Sequence, residues 1–173
     1  MQKQTLGTAV VAVILASGAV HAEVVDEFDV GIGESTSTTI FQFGNGNQYI
    51  FNISYDGALT GRDSFDVITE EMPDVFIPVI KSYDFGDFLL GLSIGDDENS
   101  GFGTPPDYFD YWHYWTKETM ADAWESSMIG FSDRILSDGS MDGWVFDSGD
   151  APIPAPPAFI GLVGIGLMRK RRR

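Results

Sequence analysis

Every carboxylate of this chain lies between Glu23 and Asp150, and both flanking segments are free of acid. All 26 Asp and Glu fall inside those limits, together with only Arg62, Lys81, Lys117 and Arg134 of the ten cations, so the interior carries a net charge of −22 against −16 for the whole chain. Self-repulsion of that size opposes compaction, so any fold must rest on a strong apolar core. The chain has no cysteine, hence no disulfide to help and no thiol chemistry. The same charge argues against nucleic acid or anionic membrane as a partner. A solvated acidic surface is its simplest use.

The ends have their own logic. Met1–Ala22 carries Lys3, then the apolar stretch Leu6–Val20, and closes on Val20-His21-Ala22 with small residues fit for signal peptidase. It reads as a signal peptide over 1–22, with an uncleaved anchor as the alternative. Residues 151–173 contain four prolines within Pro152–Pro157, the apolar run Ala158–Met168, and the cations Arg169, Lys170, Arg171, Arg172 and Arg173. Prolines fix φ and remove donors, favouring an extended segment. The 11-residue run covers about half of a ~30 Å hydrocarbon core as a helix, and the terminal cations act as a membrane stop on the cytoplasmic side.

This three-part tail resembles the PEP-CTERM sorting signal. Ile153-Pro154-Ala155-Pro156 stands where that family has Val-Pro-Glu-Pro, with Ala155 in place of the more frequent Glu. The resemblance implies recognition of Pro154, Ala155 and Pro156 by an exosortase, a bacterial membrane protease and transpeptidase. It also implies transient attachment to the inner membrane through a short transmembrane helix, followed by release to the cell surface or extracellular matrix. A plain tail anchor is the alternative.

Between the ends, 23–150 is long enough for one domain. Its aromatic and β-branched runs with Gly, Asn and Asp punctuation predict an α+β, β-rich fold. Ser37–Phe43 and Tyr49–Tyr55, separated by Gly44-Asn45-Gly46-Asn47, predict a hairpin. Asp63–Glu71 is the expected helix, stopping before Pro73. Val75–Ile80 is an expected strand placed at an edge or bulge by Pro78, Phe85–Ile94 a central strand, and Asp96–Pro106 an exposed loop. In Tyr108–Trp115 the aromatics fit either a spacing of three or an alternation that puts Phe109, Tyr111, His113 and Trp115 on one face; aromatic enrichment favours a strand. The two Asp-Gly pairs at Asp138 and Asp142 predict turns feeding a terminal strand and a hairpin-like closure.

The segment Ser37–Phe146 resembles, more loosely, the carboxyl-terminal β-domain of transcobalamin-like proteins. The matching features are Tyr111–Trp115, Gly130, Asp138-Gly139 and Trp144–Phe146. That resemblance implies a single small β-grasp-like or sandwich-like domain and a ligand face at Tyr111, Trp112, Trp115 and Trp144. The large helical domain with which that family encloses a corrinoid has no counterpart in this sequence. Aromatic faces also stack on sugar rings, so extracellular polysaccharide is a candidate partner.

Catalytic residues are not indicated. The interior holds one histidine, His113, and no nucleophile-elbow, zincin or phosphate-loop motif; a carboxylate-pair hydrolase is the remaining enzymatic alternative. No cofactor is expected. Asp96-Asp97-Glu98-Asn99 and Asp138–Asp142 offer hard oxygens to Ca²⁺ but lack the spacing of a dedicated loop. The sequence therefore predicts a non-enzymatic exported protein whose partners are signal peptidase, an exosortase and matrix polysaccharide.

Overall fold

Tyr49, Phe51, Ile53 and Tyr55 recur at every second position, the period of a half-buried strand. All four are buried in the computed structural model, which describes residues 22–153. The expected signal peptide up to His21, and the sorting motif from Pro154 through Ala155 and Pro156 to the stop Arg169–Arg173, lie outside the described residues.

The predicted hairpin forms from β2 (Ser35–Gln42) and β3 (Asn47–Tyr55), antiparallel with Phe41 opposite Tyr49. A strand not anticipated from sequence, β1 (Glu23–Gly31), pairs parallel with β3. Its four acids concealed it, because only Phe28 and Val30 reach the core. The helix α1 (Gly61–Glu71) begins two residues before the expected start. Thr60 is the reason: its hydroxyl accepts from Asp63 N at 2.9 Å while the Asp63 carboxylate accepts from Thr60 N at 3.3 Å, a capping box. Phe65 and Ile68 form the buried stripe of α1.

A second sheet contains β4 (Phe76–Tyr83), β5 (Gly86–Ile94) and β6 (Asp97–Ser100), with β5 central. Pro78 sits in the edge strand β4 beside a register shift at Val79/Ile80, as expected. The expected loop Asp96–Pro106 is corrected in part. Gly95, at φ 59, makes a tight connection that returns Asp97–Ser100 antiparallel to β5.

The aromatic segment is also corrected. Strand β7 (Trp112–Lys117) starts four residues after Tyr108, whose φ of 57 breaks the extended path. Phe109 and Tyr111 therefore precede the strand, and only His113 and Trp115 keep the expected shared face. After the two-residue β8 (Glu125–Ser126), Asp138-Gly139 forms a turn with Gly139 at φ 78. Asp142-Gly143 lies inside β9 (Met141–Phe146), which enters between β2 and β7 instead of closing back on the segment before it.

The six-stranded order is β1-β3-β2-β9-β7-β8, with β1/β3 and β2/β9 parallel. One face of this sheet, the stripe of α1 and one face of the smaller sheet enclose a single core containing Phe41, Phe51, Phe65, Phe76, Leu92 and Trp144. The chain is thus a β-rich α+β protein with two sheets and, among the described residues, one helix.

The sheets are also joined at one end by polar groups. Asp97 accepts from Asn45 Nδ2 at 2.7 Å, Asn47 Nδ2 at 2.8 Å and the Tyr49 hydroxyl at 2.7 Å. Burial pushes the Asp97 carboxyl upward, but Asn47, Tyr49 and Asn45 outweigh it and hold the carboxyl below its ordinary 3.8. Tyr49 is pushed up to about 12 by its own burial and by that same bond. A carboxyl lowered by folding stabilises above its unfolded value and loses that effect as pH falls through the folded one. Asp97→Ala should therefore lose about 1.5–3 kcal/mol at pH 7, and thermal melts should find the gap to the wild type narrowing from pH 7 to pH 3.

Candidate functional site

Strand β7 pairs with β8 at Trp115 and Thr116, and Ser127 N donates to Tyr114 O at 2.9 Å just beyond, which leaves Trp112 and His113 without a strand partner on that side among the described residues. A cavity of about 240 Å³ opens there, between β5 and the loop that follows β8. Its wall includes Phe88, Tyr111, Trp112, His113, Tyr114 and Trp144, with Asp87, Ser126 and Ser127 as polar members.

Strand alternation sorts the expected ligand-face residues. Trp112 and Trp144 point into the core, 2% and 4% exposed, and form part of the cavity wall. Tyr111 stacks on His113 with ring centres 3.9 Å apart. Trp115 stands on the opposite side of the sheet from its neighbour Tyr114, and its indole N–H is buried without a hydrogen-bond partner among the described residues. Three of the four residues thus meet at one cavity and Trp115 does not.

From the cavity mouth, aromatic rings continue outward in both directions. Phe88 lies 6.2 Å from Tyr111 and 5.1 Å from Phe102; Phe102 is followed by Tyr83 at 6.2 Å and Phe85 at 5.1 Å. On the other side His113 stacks on Phe109 at 5.6 Å. Phe85, Phe102 and Phe109 are exposed. Exposed rings grouped in this way are a patch of the kind that marks candidate interaction sites.

Beneath the cavity lies a charged network that the sequence did not reveal. The Tyr114 hydroxyl donates to Asp142 Oδ2 at 2.6 Å while its ring stacks on Trp144 at 4.4 Å. Arg134 Nε donates to Asp142 Oδ1 at 3.2 Å, and Arg134 Nη1 donates to Glu118 Oε1 at 2.6 Å. Asp142 is 2% exposed, and burial pushes its carboxyl up against the opposing pull of Tyr114 and Arg134. Burial and the Asp142 charge together push the Tyr114 phenol far above its ordinary value. One signal was available: Arg134 is one of four interior cations among 26 acids.

Ser127 and His113, two of the polar residues at the cavity, are already engaged. Ser127 Oγ donates to Ile129 O at 2.8 Å, and His113 Nε2 faces Phe109 O at 3.3 Å. Burial lowers the His113 pKa from its ordinary value, against the opposing pull of the Phe109 carbonyl and Asp147, which favours the neutral ring. The arrangement suits stacking and hydrogen bonding more than proton transfer. In the two acidic stretches considered for Ca²⁺, four residues are committed, Asp97 to the sheet-joining bonds, Asn99 to Gly44 N, Asp138 to Thr36 N and Asp142 to Arg134, while Asp96 and Glu98 are exposed. Among the described residues no three His, Asp or Glu side chains converge as a metal site.

No protein-family model and no curated protein matches the chain. Among solved structures, a protein from Ruminococcus gnavus ATCC 29149 provisionally described as metal binding is similar at a TM-score of 0.46 and 14% identity. The match covers 68% of this chain and all of the other.

Removing one partner of the buried charge pair leaves the other uncompensated. Arg134→Met should cost about 3–5 kcal/mol and Tyr114→Phe about 1–3 kcal/mol. Urea denaturation should return the two in that order.

Proposed function

We propose that this is an exported, non-enzymatic surface or matrix protein, cut at its amino end by signal peptidase and sorted at its carboxyl end by an exosortase. The observation that carries the reading is the match between the folded body and the two expected processing points. Strand β1 starts at Glu23, the residue after the expected cut, and Glu23 N donates to Gly46 O at 3.1 Å. The ammonium group left by cleavage after Ala22 can keep that bond. At the other end Pro152 is buried and Ile153 is bonded to Gln42 and Gln48, so the body holds the chain up to the residue before Pro154 of the sorting motif. Among the described residues no helix is long and apolar enough to cross a membrane, so attachment on this reading belongs to the tail.

The strand order β3-β2-β9-β7, with β2 and β9 parallel and α1 packed on the sheet, supports a β-grasp-like over a sandwich-like description. A second reading, binding of neutral matrix polysaccharide, is favoured by the run of rings from Phe85 to Phe109 past the Tyr111 cavity. Sugar rings stack on aromatic faces, whereas a polyanion would meet a body of charge −22.

Intact-mass analysis of the secreted protein should find a species starting at Glu23 and lacking the hydrophobic run and the arginine tail. A full-length product retained in membranes would sink the sorting reading. For the second reading, titration with neutral oligosaccharides should change the tryptophan emission, and Tyr111→Ala should weaken the response about two- to tenfold, as loss of one ring contact at about 0.5–1.5 kcal/mol implies. An emission spectrum that ignores the oligosaccharides would leave only the structural role.

A further inference from the structure

Two glutamine side chains are buried on the face of the large sheet turned away from the core: Gln42, 6% exposed, and Gln48, 1% exposed. They are register partners at the end of the β2–β3 hairpin. Gln48 Nε2 donates to Gln42 Oε1 at 2.7 Å, and the same two atoms also hold a single residue of the carboxyl-terminal segment. Ile153 N donates to Gln42 Oε1 at 2.9 Å, and Ile153 O accepts from Gln48 Nε2 at 2.7 Å. Both main-chain groups of Ile153 are thereby taken by side chains.

The residue before it is seated as well. Pro152 is buried, and a Cβ built on Gly143 would stand 2.5 Å from Pro152 Cγ and 3.2 Å from Trp124 Cη2. Glycine inside β9 is what lets the proline ring approach the sheet beside Trp124. A buried amide pair that reads main chain, next to a proline seat, is a built peptide-binding site.

We propose that this site clamps Ala151–Ile153 as a strap that withholds the adjoining sorting motif from proteolysis until the strap lifts. The identity of the processing enzyme rests on the sorting reading above; the clamp does not. Proteases take substrate as an extended strand through its main-chain N–H and C=O groups. Ile153 has neither group free while clamped. Cleavage at or beside it must wait for local opening, which here breaks the two bonds to Ile153 and lifts one proline, leaving the core untouched. The folded body thus sets how often its own tail is offered.

The test uses the purified full-length chain in detergent, with a post-proline endoprotease, following the Pro152–Ile153 bond by mass spectrometry and the Ile153 amide by hydrogen exchange. In the wild type the amide should be protected and the bond cut slowly. In Gln42→Met/Gln48→Met, which keeps side-chain bulk but cannot hold Ile153, cutting should accelerate by about tenfold or more, as expected for two lost hydrogen bonds. Gly143→Ala, which crowds Pro152 but keeps both amides, should act in the same direction. A cooperative melt confirms that each variant is folded. Equal cleavage rates, or a wild-type Ile153 amide that exchanges as a free peptide, would overturn the clamp. The exchange result decides the matter even if a variant fails to fold. Neither readout needs an exosortase: a protected Ile153 in a protein that cells never process would count against the sorting reading alone.

Discussion

The ring of Phe41 is fully buried and touches aromatic rings from four other parts of the chain. Phe51 of β3 lies 5.8 Å away, Phe65 of α1 5.5 Å, Phe76 of β4 5.4 Å and Trp112 of β7 6.3 Å. Three of these contacts are edge-on, the arrangement favoured by ring quadrupoles. Both sheets and the helix are therefore held to one side chain. The dependence is severe because folding leaves only about 5–15 kcal/mol in hand, and this body adds self-repulsion and has no disulfide. The many phenylalanines of the sequence compensate for a surface that works against compaction.

The four interior cations are placed where charge alone would not put them. Arg134 is buried between Asp142 and Glu118, and Arg62 bridges Asp66 of its own helix to Asp87 of β5. Lys81 lies over the Tyr83 ring and Lys117 over the Trp124 ring. With carboxylates in such excess, exposed pairs would be screened and interchangeable. The arginines instead tie elements distant in sequence, and the lysines cover rings. Trp124, steadied by Lys117, is also one side of the seat for Pro152.

What the sequence made legible was local. The period-two run Tyr49–Tyr55, the stop before Pro73, and the edge position of Pro78 each follow from steric rules that act within a few residues. Helix α1 was placed to within a turn, missing only the capping reach of Thr60. What escaped depends on partners far along the chain. Strand β1 looks like a solvated acidic stretch until β3 is beside it. Asp142-Gly143 has turn chemistry, yet Arg134 pairs with the aspartate, Tyr114 donates to it, and Pro152 occupies the space over the glycine. At the site, Tyr111, Trp112 and Trp144 all line the cavity, but the depth at which the two tryptophans sit in the core could not be read from a ring's identity. Gln42 and Gln48 gave no signal, since nothing in a strand of mixed character marks an amide that will meet the chain's far end.

The borders of the two sheets share a property. The large sheet ends on β1, which carries Glu23, Asp26, Glu27 and Asp29, and on the two-residue β8. The small sheet ends on β4, interrupted by Pro78 and a register shift, and on the four-residue β6 with its own acids. Each border is charged, short or broken, the means by which sheets refuse to extend into a neighbouring molecule. Copies of this domain can accordingly be crowded together without templating one another into fibrils.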